Sequence, residues 1–275
     1  MGSRFPEGLE SGRGLPAGRV LGEALALASG HCWTLLAWSA SMPAVGLLLM
    51  GLGVLAGASG PWAVALTLFI WAIMGGLLAR FWVRAHRLML LPPDREGLPA
   101  PEGRVRSCLW AMVLLTLASV PAWVAGQVLA RAMGQALDLA LDLAPGLAPA
   151  RSGPVASLEA VVSLLLPFFA VQALMARRVL LYLPGVSLGR RAPWSLATAM
   201  GRGHGLALAR LNLCAGGFTV GVSLFAGWLV GMAFPHGPQG LLELLTLLVG
   251  LPAQAVFVAC LQAACYRRLT LDPEA

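Results

Sequence analysis

The chain contains no lysine. It is poor in charge of either sign: Asp, Glu and Arg together make up 11% of its 275 residues, where soluble domains carry about a quarter. A globule so poor in charge cannot cover its surface in water, although it can do so in lipid. The acidic sign is the scarcer, with 12 carboxylates against 19 arginines and a net charge of +7. No basic stripe interleaved with aromatics and no recognition motif is present, which argues against nucleic acid as a partner. The five cysteines, Cys32, Cys108, Cys214, Cys260 and Cys265, form no CxxC pair. Neither a disulfide framework nor a zinc knuckle is therefore expected. The four histidines, His31, His86, His204 and His236, lack metal-ligand spacing to one another. No metal and no cofactor are expected.

What is present is uncharged length. From Ala24 to Ala79 there is no Asp, Glu or Arg over 56 residues. A bilayer core of about 30 Å is crossed by about 20 helical residues, so this gap holds two crossings with a turn at Gly57–Pro61. Ser107–Ala130 is a third apolar run. Pro154–Ala176 is a fourth, interrupted by Glu159 near its start, and Leu211–Phe234 a fifth. Leu241–Tyr266 is the sixth, with Glu243 near its start. These runs are too long and continuous for barrel strands, which alternate over about ten residues. In lipid the backbone must satisfy itself within the segment, so they are read as helices. The expected fold is all-α, a polytopic membrane protein with six transmembrane helices. Residues 1–20 are polar, the apolar region after them is too long for a signal core, and no cleavage site stands out; the N-terminus is expected to stay attached.

Arginine placement gives an orientation. Seventeen of the 19 arginines lie before span one, between spans two and three, between four and five, or after six. Arg131 and Arg151 fall on the other side. Loops rich in basic residues stay cytoplasmic, which implies six crossings with both termini inside. The exits of the even spans look alike: Arg84-Ala-His-Arg-Leu-Met-Leu-Leu-Pro92, Arg177-Arg-Val-Leu-Leu-Tyr-Leu-Pro184 and Arg267-Arg-Leu-Thr-Leu-Asp-Pro273. Arg87, Arg178 and Arg268 are spaced by 91 and 90 residues. Any cytoplasmic helix end tends to carry snorkelling Arg and a terminating Pro. The stretches beginning at Gly18, Gly103 and Gly189 add a second spacing, of 85 and 86 residues, and Ala24–His31 resembles Leu196–His204. The chain thus reads as one membrane domain over 1–275. A polar tail covers 1–19, and three hairpin units of a possible triplication cover about 20–92, 93–184 and 185–275.

Two stretches are expected to lie on the membrane as interfacial amphipathic helices, Val20–Trp33 and Pro193–Arg210. In the second, Trp194, Leu196, Met200 and Leu206 are expected to share an apolar side while Arg202 and Arg210 reach headgroups. Leu91–Arg104, with four prolines and no apolar period, reads as a solvated linker. The third helix is expected to run beyond the membrane as far as Pro145.

Chemistry-bearing residues are sparse. No charge sits at the middle of any span, which argues against an ion-coupled pump and against most intramembrane catalysis. Glu159 and Glu243 read as facing headgroup water. Asp138 and Asp142, four apart, share a helix face without further oxygen ligands and read as solvated. His31 beside Cys32 lacks an orienting carboxylate, and His86 is expected to contact headgroups. The arginines offered to lipid headgroups or a partner are Arg84, Arg87, Arg177, Arg178, Arg190, Arg191, Arg267 and Arg268. Gln127, Gln172, Gln254 and Gln262 lie within spans. They either bond across helices or line a narrow polar path. Pro43, Pro121, Pro167 and Pro252 are expected to kink their helices.

The stretch Arg177–Gly205 combines Arg, an apolar run ending in Pro, and an amphipathic helix with Leu196, Ala199 and Gly201. It resembles a loose group of bacterial multi-pass inner-membrane proteins. That group is similar to the membrane domain attached to some glycerophosphodiester phosphodiesterases. The resemblance implies an inner-membrane address and helical architecture; no hydrolase domain accompanies it here. The expectation is a non-catalytic membrane scaffold or binding protein, contacting the lipid bilayer through anionic lipid or an unknown membrane protein partner. The alternative is a transporter or channel subunit for an uncharged or lipid-like solute.

Overall fold

The computed structural model describes residues 15–55, 61–91, 102–143, 179–190, 193–234 and 239–270. Among them the secondary structure is entirely helical. The helices are α1 (Ala17–Leu55), α2 (Pro61–Leu90) and α3 (Glu102–Leu143), then α4 (Val179–Leu188), α5 (Pro193–Met200), α6 (Gly205–Ala233) and α7 (Gln239–Thr270). Three of them contain segments long and apolar enough to cross a membrane, Ala17–Gly46, Val64–Leu90 and Gly205–Ala233. This is compatible with membrane insertion. The fourth apolar run, Pro154–Ala176, lies outside the described residues.

The helices run through their internal prolines. Pro43, Pro121 and Pro252 stand inside α1, α3 and α7. A helix of 39 residues such as α1 is about 58 Å long at 1.5 Å per residue, well over the thickness of a hydrocarbon core. Val20–Trp33 is no separate interfacial helix but the opening turns of α1. Nothing in that stretch stops a helix, since Ala, Leu and Glu propagate it and no Pro intervenes. Helix α3 continues to Leu143, just short of Pro145.

Helices α6 and α7 are antiparallel. In the α6–α7 pair Phe218 stacks on Phe257 with ring centroids 4.1 Å apart, Ser223 bonds Gln254, and Gly227 lies against Thr246. One series of numbers rises as the other falls. Helix α7 packs most extensively on α1, then on α6, and also on α2; α3 packs on α2. From Ala255 to Tyr266 nearly every residue of α7 is buried, the mark of a central helix surrounded on all sides.

The core sits at one end. It gathers Ala79–Met89 of α2, Cys108–Leu115 of α3, Leu180–Val186 of α4 and Ala255–Tyr266 of α7. The other ends show their apolar side chains: Trp62, Leu68, Leu117, Val128, Leu224 and Met232 are all more than half exposed. Apolar surface of that extent is a liability in water. Arginine follows the core. Arg19 opens α1, Arg84 and Arg87 close α2, Arg104 and Arg106 open α3, and Arg267 and Arg268 close α7, while Arg131 lies toward the opposite end of α3.

The expected interfacial helix over Pro193–Arg210 is divided. Helix α5 ends at Met200, a turn follows, and α6 starts at Gly205. Gly203 takes φ of 80°, a left-handed conformation that costs glycine little and other residues considerably more. Trp194 and Leu206, expected on one apolar side, therefore belong to different helices. The imidazole Nδ1 of His204 accepts a hydrogen bond from the backbone N–H of Leu15 at 3.3 Å, joining the approach to α1 to this turn.

Candidate functional site

Three chain segments meet at the arginine-rich end around one histidine. His86 belongs to α2, Ser187 to α4 and Gln262 to α7, and all three are completely buried. The Gln262 Nε2 amino group donates to the Val179 carbonyl at 2.9 Å. A carbonyl only accepts, so the Gln262 amide oxygen must face the imidazole, where it lies 3.0 Å from Nε2. An amide oxygen also only accepts, so His86 carries its hydrogen on Nε2. Nδ1 is then the acceptor of the Ser187 hydroxyl, 3.0 Å away. The chain of donors and acceptors closes with a neutral imidazole and leaves no member unsatisfied, the condition under which buried polar groups are tolerated. The ring stacks on Trp82, one helical turn back, with centroids 5.5 Å apart.

This corrects the expectation that His86 faces headgroups. The arginines around it suggested a surface position, but the ring points inward, between α4 and α7. A serine hydroxyl on an imidazole resembles a nucleophile with its base. Here both atoms are sealed inside the core, and the third member is a neutral amide in place of the carboxylate that would stabilise an imidazolium. A substrate carbonyl cannot reach the hydroxyl without parting the helices. The arrangement acts as a clamp across α2, α4 and α7.

Gln254 behaves similarly one layer away. Its amide nitrogen donates to the Ser223 hydroxyl at 2.9 Å and lies 3.3 Å from the Thr219 carbonyl. Gln254 and Gln262 each bond to a neighbouring helix. Gln172 lies outside the described residues, as does the side chain of Gln127.

The arginines divide by environment. Arg268 is ion-paired with Glu23 of α1, both partly buried. The Arg84 guanidinium lies over the Trp38 ring, 5.9 Å from its centroid, a cation–π contact between α1 and α2. Arg87 is half-buried in the last turn of α2. Arg190 and Arg267 are exposed, as are Arg19, Arg80, Arg202 and Arg210. Arg177, Arg178 and Arg191 lie outside the described residues.

At the end of α4 two guanidinium groups flank the terminating turn. Gly189 ends α4 with φ of 73°. Its N–H bonds the Val186 carbonyl and the Arg190 N–H bonds the Gly185 carbonyl, a glycine-terminated C-cap. The Arg104 guanidinium lies directly over Gly189, occupying the space a Cβ would take. Tyr266 packs against Gly185 with its hydroxyl buried. The Arg190 guanidinium stands beside that hydroxyl. Trp194 meets the Tyr182 ring edge-on at 5.2 Å and is itself 39% exposed.

Sequence reasoning named His86, Gln262 and Arg190 separately but did not join them. Ser187 and Tyr266 carried no local signal, because the partners of His86 stand 101 and 176 residues away. Among the described residues no group of three His, Cys, Asp or Glu could hold a metal. The chain matches no protein-family model, no curated protein and no solved structure.

Proposed function

We propose that the chain is a bacterial inner-membrane protein of six crossings with both termini cytoplasmic. In this reading it is a non-catalytic binding protein that holds anionic lipid at its arginine-rich face. The observation that carries it is the exposure of Arg19, Arg80, Arg190, Arg202, Arg210 and Arg267 at the end where the helices converge, with no ion pair to these arginines among the described residues. Each basic residue near an anionic surface contributes about 1 kcal/mol. Gln254 and Gln262 are engaged between helices, which speaks against a solute path along them.

The same reading includes three related hairpins, supported by two observations. Trp38 and Arg84 face one another in the first hairpin. Advancing Trp38 by the 173 residues from His31 to His204, and Arg84 by the 181 from Arg87 to Arg268, gives Leu211 and Cys265. An antiparallel pair in that register sets Phe218 opposite position 258, and Phe218 stacks on Phe257, one residue away. The three exits also converge: His86 precedes Arg87, Val179 follows Arg178, and Gln262 stands six residues before Arg268, all within one polar cluster.

The test is native mass spectrometry of protein extracted with its lipids, comparing wild type with Arg80, Arg202, Arg210 and Arg267 changed together to Gln. The proposal expects several-fold less phosphatidylglycerol retained per protein by the variant. Equal retention would remove anionic lipid as the ligand and leave these arginines as determinants of orientation alone.

A further inference from the structure

We infer that Cys32 of α1 and Cys260 of α7 are a redox pair, two thiols that hydrogen peroxide converts into a disulfide tying α1 to α7. The inference is independent of the lipid-binding reading above.

Three observations bring the two sulfurs together. The first is the course of the helices. Leu15, just ahead of α1, bonds His204 at the start of α6, and Glu23 pairs with Arg268 at the close of α7. Helix α1 therefore begins beside the end of α7 and runs back along it, in the most extensive helix contact among the described residues. The second is register and face. Cys32 stands nine residues after Glu23, and Cys260 eight before Arg268. At 1.5 Å per residue these are advances of about 13.5 and 12 Å from the ion pair, so the two cysteines share a level. The inward positions of α1 include Ala24, Leu35, Ser39 and Met42, all buried. Cys32 lies three residues before Leu35 and so belongs to the same stripe. Cys260 is completely buried. The third is direct: the Cys32 thiol lies within electrostatic reach of the Cys260 thiol.

Small neighbours let these helices close up. Ala24 and Ala28 precede Cys32 on its stripe, and Ala259, Ala263 and Ala264 stand around Cys260. Side chains of that size permit close helix approach, and a disulfide needs Cα atoms about 4.4–6.8 Å apart. Both cysteines are free thiols, so the structure is the reduced form. Cys32 is only half-buried and is the one the oxidant meets. Its sulfur, as the thiolate, attacks one peroxide oxygen. The O–O bond breaks, a sulfenic acid forms, and the other oxygen leaves as water with the thiol proton. The Cys260 sulfur then attacks the Cys32 sulfur. The S–S bond forms, the S–O bond breaks, and that oxygen leaves as a second water with the Cys260 proton. Two thiols together lose two electrons and two protons, and one peroxide is reduced to two waters. Hydrogen peroxide is small and uncharged and can enter an apolar helix interface. Glutathione is large and charged and does not, so the bond once made is shielded from that reductant. The two cysteines are 228 residues apart in the chain, and the link latches its first long helix to its last.

The experiment treats the full chain in lipid nanodiscs with submillimolar hydrogen peroxide. Remaining thiols are blocked with N-ethylmaleimide, and the protein is digested with pepsin and read by mass spectrometry. Wild type, C214A, C32A and C260A are compared; C214A removes the exposed thiol on α6. The pair predicts a Cys32–Cys260 linked peptide in most molecules, at equal yield in wild type and C214A. It should be absent from C32A and C260A and released by dithiothreitol. Linked wild type should also unfold at a higher concentration of denaturing detergent than its reduced form, a shift that C32A lacks after the same treatment. Should C260A fail to fold, C32A, changed at the half-buried position, carries the comparison. Recovery of Cys32 as a sulfinic acid with Cys260 still a free thiol would show that the sulfurs do not meet, and would overturn the pair. So would Cys32 left unoxidised while Cys214 is oxidised, or Cys32 linked to a different cysteine.

Discussion

Replacing His86 by Ala is the sharpest test of how the core is tied together. The substitution removes an imidazole that accepts from Ser187 and donates to Gln262, each at 3.0 Å, and that stacks on Trp82. It leaves the Gln262 amide oxygen and the Ser187 hydroxyl buried without partners. Two such orphans cost about 2–6 kcal/mol if nothing relaxes. Polar bonds between membrane helices average nearer 0.6 kcal/mol each, because the unfolded chain in lipid also finds partners. The cavity left by the ring adds to whichever figure holds. A loss of about 2–4 kcal/mol is therefore expected. A histidine facing headgroups would give about 0.5 kcal/mol or less. The assay is reversible unfolding in mixed micelles by titration with a denaturing detergent, followed by tryptophan fluorescence. Gln262→Ala and the double variant complete the cycle, and a coupling of about 1 kcal/mol is expected between groups in direct contact. If His86→Ala unfolds within 0.5 kcal/mol of wild type, or the two substitutions add without coupling, the clamp reasoning is wrong.

The remaining expectations use the same unfolding assay. Gln254→Leu removes the bonds to Ser223 and Thr219 and should cost about 0.6–2 kcal/mol. Glu23→Ala removes the ion pair to Arg268, whose side chain is 17% exposed; a loss of about 1 kcal/mol is expected, shrinking in high salt. Gly203→Ala meets no neighbour within 4 Å, so its cost comes from φ of 80° alone, about 1–2 kcal/mol. Gly189→Ala adds a collision with the Arg104 guanidinium to the same backbone strain and should cost more than Gly203→Ala. Equal losses at the two glycines would contradict the placement of Arg104.

Much of the helical layout is legible in the sequence because membrane-length apolar runs are a strong signal. The gap from Ala24 to Ala79 becomes α1 and α2, joined across residues 56–60, and the runs beginning at Leu211 and Leu241 become α6 and α7. The extension of α3 toward Pro145 is also readable, since nothing before that proline interrupts the helix. What composition misreads is local role. The separate amphipathic helix expected at Val20–Trp33 is continuous with the span after it, because an interfacial segment and a helix entering lipid at an angle share one pattern. Pro193–Arg210 is broken by a glycine pair whose effect depends on φ at Gly203. His86 misleads for a different reason. Its sequence neighbours Arg84 and Arg87 stand two and one residues away, and on a helix residues that close in sequence do not share a face. The ring turns toward partners more than 100 residues away. Likewise Arg268 reads as a surface cation until Glu23, 245 residues distant, is found beside it.

The account depends most on the crossings themselves. Alkaline phosphatase fused after Ser59, after His236 and at the C-terminus tests them, since that enzyme is active only outside the cytoplasm. The account predicts activity at Ser59 and His236 and none at the C-terminus. Activity at the C-terminus with silence at Ser59 and His236 would contradict it.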